Sequence, residues 1–279
     1  KCADILKLDV NITQSITLRF PLYLTFGLAV LTLIAAIGMQ DHHPSSASFG
    51  GSSISIKAAF GLTLKAGKWI LQTPFALTII LAGLIFDSIA RMVITLSSQY
   101  YRLIDLPEAI FGIIGALVAA LGLFIPRLAL WLAQRYSPSI NFSITALVSL
   151  TGLSGMTFFW PFLGVIPALI LFSSMQLTSF FVSHYLNQIT ASSQRATVLS
   201  FKGLSFNLAY GLVGVLYSRL IIALKPGVAK QLAPAADNGH LQGEVFIAAM
   251  QWFPWTLTTA IIFFIIFARW LYIRSMSSH

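Results

Sequence analysis

PFALTIILAGLIFDSIARMVITLS, residues 74–97, decides how the rest of the chain is read. A helix that crosses a bilayer needs about 20 mainly apolar residues, since a rise of about 1.5 Å per residue must cover a hydrocarbon core of ~30 Å. This stretch has the length, and Pro74 opens it at a helical position where a missing N–H costs nothing. Only Asp87 and Arg91 interrupt its run with charge.

The same pattern recurs on both sides. Downstream, one segment runs from Pro107 and Glu108 through FGIIGALVAALGLFIP and continues amphipathically to Arg135. Two more, 140–159 and 161–183, are separated only by Trp160 and Pro161, which predicts a tight helical hairpin. Further segments cover 196–224 and 247–273, with the polar stretch KPGVAKQLAPAADNGHLQGE read as a surface loop between them. Upstream, 18–39 forms another span that opens at Arg19-Phe20-Pro21. Between it and Pro74 lie a Ser- and Gly-rich linker, QDHHPSSASFGGSSISI, and residues 57–72, where Lys57, Lys65 and Lys68 alternate with Phe60, Leu64, Trp69 and Ile70 in the manner of an interfacial amphipathic helix.

Composition agrees with lipid as the solvent. Of 279 residues, 57% are hydrophobic and 9% are charged, against roughly 25% charged in soluble domains. The net charge of +9 comes from 17 Lys and Arg placed singly at segment ends. A nucleic-acid partner would need them clustered; scattered, they suit phospholipid headgroups. Cys2 is the only cysteine, which excludes an intrachain disulfide and a Cys-rich metal site. The chain opens at Lys1-Cys2-Ala3-Asp4 without an initiator Met, and is read as a fragment. The expectation is an all-α integral membrane protein with about seven transmembrane helices, six of them a bundle, divided into 1–39, a linker 40–72 and the bundle 73–279.

Lys and Arg near the segment ends set the orientation. One side collects Lys57, Lys65, Lys68, Arg127, Arg135, Arg195, Lys202, Arg269 and Arg274; the other has Lys1, Lys7, Arg19, Arg102, Arg219, Lys225 and Lys230. The first side, with the linker and the C-terminus, is expected in the cytoplasm.

No phosphate-cradling loop, H-E-x-x-H or G-x-S-x-G motif is present, and no cofactor is expected. His42 and His43 stand in the linker without a third ligand nearby, and Asn11-Ile12-Thr13 matches a glycosylation sequon at chance level. The informative residues are polar ones inside spans, because an ionisable group at mid-membrane costs at least ~2.5 kcal/mol on insertion scales. Asp87 and Arg91, four residues apart, share one helical face. Counting from Pro74 puts Asp87 past the midplane and Arg91 near the outer interface. They are either a structural ion pair or a site of proton coupling or substrate recognition. Lys202 and Tyr210 share a face of the segment FKGLSFNLAYG, with Asn207 pointing elsewhere and Lys202 snorkelling toward the cytoplasmic interface. Gln176, with Ser173 and Ser179 nearby, either bonds across helices or lines a cavity. Gly112, Gly115, Gly203, Gly211 and Gly214 are expected to let helices pack closely.

Tyr185-Leu186-Asn187 followed by Arg195-Ala196-Thr197-Val198-Leu199-Ser200, together with Asp87 and Arg91 ahead of Ser98, Tyr100 and Tyr101, resembles the major facilitator superfamily. Its members have twelve spans in two six-helix halves joined by a long cytoplasmic loop. On that resemblance 18–39 is the sixth span, 40–72 the central loop and the remainder the C-terminal half. One departure stands at IPRLALWLAQRYSP, where only Arg127 and Arg135 are basic and the family often carries a degenerate G-x-x-x-D-R-x-G-R-R. The resemblance implies secondary active transport of a small solute, with or without protons, by alternating access in a bacterial cytoplasmic membrane. It implies two partners, the bilayer and an N-terminal half of the same protein, and no flux from this stretch alone. The competing readings are a seven-helix receptor, which lacks a mid-membrane Lys in the last segment, and a membrane enzyme or assembly subunit, which lacks a convergent set of acid and base groups.

Overall fold

The computed structural model describes residues 19–37, 56–232 and 238–276. Among these there are ten α-helices and no strand. In chain order they are α1 (Arg19–Ile37), α2 (Ile56–Gln72), α3 (Pro74–Thr95), α4 (Ser97–Leu103), α5 (Glu108–Arg135), α6 (Pro138–Met156), α7 (Val165–Ile189), α8 (Arg195–Gln231), α9 (Asn238–Met250) and α10 (Trp252–Met276). The chain divides into two units, Lys1–Ser53 and Ile54–His279. The first is represented by α1, whose described side chains are all exposed. His42, His43 and the Asn11 sequon lie outside the described residues.

In the second unit α3 and α7 form the interior. α3 touches α2, α6, α7, α8 and α10, while α7 touches α3, α5, α6 and α8. Among the described residues six stretches are long and apolar enough to cross a membrane: Pro74–Thr95, Glu108–Arg135, Pro138–Met156, Val165–Ile189, Arg195–Gln231 and Asn238–Arg274. The chain is thus an all-helical, multi-pass membrane type, with α1 a further apolar helix of 19 residues.

Local chemistry sets the boundaries. Thr73 is extended and Pro74 begins α3, as the missing N–H allows. Pro138 begins α6 in the same way. Glu108 in the first turn of α5 and Arg135 in its last complement the helix dipole. Asn141, fully buried, donates from Nδ2 to the carbonyls of Leu132 and Tyr136 at 3.3 Å each, capping the end of α5, and approaches Tyr185 Oη at 2.6 Å. Around it Phe142 packs on Phe86, Phe181 and Tyr185.

Three boundaries differ from the sequence expectation. The hairpin of α6 and α7 turns over residues 157–164, not over Trp160 and Pro161 alone. Phe159 and Phe162 adopt left-handed φ of 47° and 56° there, a conformation that costs a bulky residue about 1–3 kcal/mol. Tertiary bonds hold the turn: Phe162 N–H donates to Ile104 O at 3.0 Å, and Tyr100 Oη to Gly164 O at 3.1 Å. Secondly, α8 continues through Pro226 to Gln231, and α9 begins at Asn238, so most of the expected 225–244 loop is helical. At 37 residues α8 is about 55 Å long, more than a bilayer core needs. Thirdly, the last segment, expected as one helix over 247–273, breaks beside Gln251 into α9 and α10.

Close packing falls on other glycines than those expected. A methyl group added at Gly112, Gly115, Gly203, Gly211 or Gly214 would meet nothing within 4 Å. At Gly83 it would meet Phe206 and Val182 at 2.5 and 2.7 Å, at Gly152 the Leu171 backbone at 2.8 Å, and at Gly155 Pro167 at 2.6 Å. The first set lies on outer faces of α5 and α8; the second holds α3 to α7 and α8, and α6 to α7.

Candidate functional site

The apolar length of α3 places Asp87 in the interior, 4% exposed, at the point where α3 faces α8. Arg91, one turn on, folds back: its Nη2 lies 2.9 Å from Asp87 Oδ1 and 2.8 Å from Oδ2. Oδ1 accepts a hydrogen bond, whereas Oδ2 is in ion contact without a hydrogen-bond partner. The other end of the guanidinium leaves α3: Nη1 donates to Asn207 Oδ1 on α8 at 3.0 Å, and Cζ stands 5.8 Å from the Tyr210 ring centre. Tyr210 Oη and Thr95 Oγ1 are 3.1 Å apart, a second bond between the two helices. Thr95 also donates back to Arg91 O at 2.9 Å.

Lys202, also on α8, reaches α7. Its Nζ donates to Ser183 Oγ at 2.7 Å and lies 5.5 Å from the Phe206 ring centre. Its charge acts on both Asp87 and Arg91. Beyond Ser183 opens a pocket of about 400 Å³ lined by Pro126 of α5 and by Gln176, Ser179, Phe180, Ser183, His184 and Asn187 of α7. These α7 residues step by three or four and so share one face. His184 stacks on Phe180 at 5.5 Å and exchanges a hydrogen bond with Gln188 at 3.0 Å.

Five of the six residues expected from the sequence join one network. Asp87, Arg91, Asn207 and Tyr210 touch directly, and Lys202 is coupled to them by charge. Gln176 lines the pocket whose wall also holds Ser183, the acceptor for Lys202. Two details change. Asn207 does not point away from Tyr210: three residues apart on α8, both face Arg91. Lys202 bonds to Ser183 on α7, a partner the sequence reading did not name. Thr95, Ser183, His184 and Asn187 were not foreseen. The polar residues recurring at 176, 179, 183 and 187 were the signal that could have found two of them, Ser183 and Asn187.

Among the described residues no three His, Cys, Asp or Glu side chains gather in a way that would hold a metal ion. What the arrangement offers is a buried carboxylate neutralised by a cation that is itself shared between two helices. Separating α8 from α3 would break the Arg91–Asn207 and Thr95–Tyr210 bonds together, while the Asp87–Arg91 pair, carried on one helix, would survive. No protein-family model, curated protein or solved structure matches the chain, so the family resemblance rests on the residues that carry it.

Proposed function

We propose that the chain takes part in secondary active transport of a small solute by alternating access, as a bundle of a major facilitator-type permease or efflux protein working against a second helical half. The observation that carries this reading is the placing of Arg91, one third exposed, between a buried carboxylate on α3 and the Asn207 and Tyr210 side chains of α8. Ionisable groups inside a membrane bundle are expensive and mark solute or proton paths. Here they sit beside a polar pocket and across a helix pair whose bonds to each other are few and breakable. The positive side chains near the ends of the segments favour a C-terminus on the cytoplasmic side, and the family resemblance implies a bacterial cytoplasmic membrane.

The test uses the full-length protein in liposomes loaded with a pH-sensitive dye, with candidate solutes added outside. Solute-dependent proton movement is expected, and Asp87→Asn abolishes it while solute still binds. Unchanged coupling in a stable Asp87→Asn protein would return Asp87 and Arg91 to a purely structural role. Absence of solute-driven flux under any imposed gradient would overturn the transport reading.

A further inference from the structure

Charge accounting inside the bundle points to the class of solute. Asp87 contributes one negative charge, Arg91 and Lys202 contribute two positive ones, and the charges of all three act on one another. Among the described residues no carboxylate lines the adjoining pocket. A cation left without a counter-charge in a low-dielectric bundle is costly, and such groups are found paired. Ser183 compensates Lys202 only with a dipole, and it does so from the pocket wall: its Oγ accepts from Lys202 Nζ at 2.7 Å and donates to Ser179 O at 2.8 Å. The remaining Lys202 N–H groups are available to a stronger acceptor.

The rest of the wall suits the same ligand. Gln176, Ser179 and Asn187 present amide and hydroxyl groups that have no side-chain hydrogen-bond partner among the described residues. The Phe180 ring, stacked on His184, adds flat apolar surface. Gly122 faces Gln176, where a methyl group would come within 3.6 Å of Nε2, so the α5 side of the wall stays low.

We infer that the pocket between α5 and α7 takes a small organic monoanion rich in hydroxyl or amide groups, its charged end replacing Ser183 as the acceptor for Lys202. This rests on the transport reading for its biological meaning, although the binding itself is measured apart from it. A solute seated in this way draws Lys202 off Ser183 and adds its charge next to Asp87 and Arg91, so occupancy of the pocket reaches the ion pair through one side chain.

The experiment compares probes of matched size on the full-length protein in lipid nanodiscs by equilibrium binding: gluconate, glucose and glucosamine, with lactate and glycerol as a smaller pair. At least one anion is expected to bind about 10-fold or more tightly than its neutral counterpart. Lys202→Gln removes that preference and Lys202→Arg keeps it, with thermal unfolding confirming that both variants fold. Preference for glucose, glycerol or glucosamine, binding of no probe, or a preference that survives Lys202→Gln would overturn the inference. Should Lys202→Gln not fold, the ranking of probes on the native protein decides alone. Flux of each probe in liposomes separates the two readings. Transport of a neutral probe without the anions sinks the monoanion and leaves transport; gluconate binding without flux under an imposed gradient sinks transport and leaves an anion-binding membrane protein.

Discussion

Removing the Arg91 guanidinium would leave the 4%-exposed Asp87 carboxylate with no cation in contact, and a buried carboxyl in that position takes up a proton or destabilises the fold. Because Arg91 is itself 34% exposed, the cost falls below that of a fully buried pair. Arg91→Leu is expected to destabilise by about 1–3 kcal/mol, and the double variant with Asp87→Asn to recover most of it. Denaturation of the four proteins of that cycle in nanodiscs measures the coupling; simple addition of the two single effects would show that the pair contributes nothing. Asn141 is a different case, since its partners are fixed carbonyls and a tyrosine hydroxyl. Asn141→Leu strands these polar groups in the interior and is expected to cost about 1–3 kcal/mol by the same measurement. The two residues also differ in how they read in the sequence. Asp87 announced itself as a charge within an apolar run, and the four-residue spacing gave its partner. Asn141 gave no signal, because its role depends on where a different helix ends.

Helix faces were harder to read than helices. Length and hydropathy located the spans because a bilayer imposes one dimension on all of them. Which side of each helix meets a neighbour is set by tertiary packing, which composition does not encode when lipid-facing and core-facing residues are equally apolar. The glycines show this most plainly, since those picked from the sequence face open space and Gly83 was passed over. The contrast gives a paired prediction. Gly83→Leu drives a side chain into Phe206 and Val182 and is expected to lower stability by about 1–3 kcal/mol, loosening α3 from α7 and α8. Gly211→Ala, with nothing within 4 Å, is expected to raise helix stability by about 0.5–1 kcal/mol through backbone entropy. Thermal unfolding of the two variants in one lipid checks both signs; a stabilising Gly83→Leu would mean that the helices are not in contact there. The polar face of α7 belongs to the same scale. Its period of three to four residues was present in the chain, but the sequence reading took Gln176, Ser173 and Ser179 without extending the step to Ser183 and Asn187.

The bundle as a whole has two ends, and its tertiary bonds assign segments to each. The Phe162–Ile104 and Tyr100–Gly164 bonds put the α6–α7 turn at the end where α3 gives way to α4. The Asn141–Tyr185 and Asn141–Tyr136 contacts put the start of α6 and the end of α7 at the other, and Arg195, donating to Thr190 O at 3.2 Å, belongs with them. This second end carries Arg135 and Arg195, so the positive-inside rule would put it on the cytoplasmic side. The tertiary bonds therefore group these residues into two ends as the alternation of spans does. Which end faces the cytoplasm is open to a direct test: Cys2 is the sole cysteine of these 279 residues, and Cys2→Ser, with any cysteine outside them also replaced, supplies a background without thiols. Phe158→Cys, at a position 63% exposed in the α6–α7 turn, is expected to react with an impermeant maleimide added to intact cells. Ser193→Cys, exposed between α7 and α8, is expected to react only after permeabilisation. Labelling of both from the same side would mean that α7 does not cross the membrane, whereas the reverse pattern would keep the bundle and invert it, placing Arg135 and Arg195 outside against the charge rule.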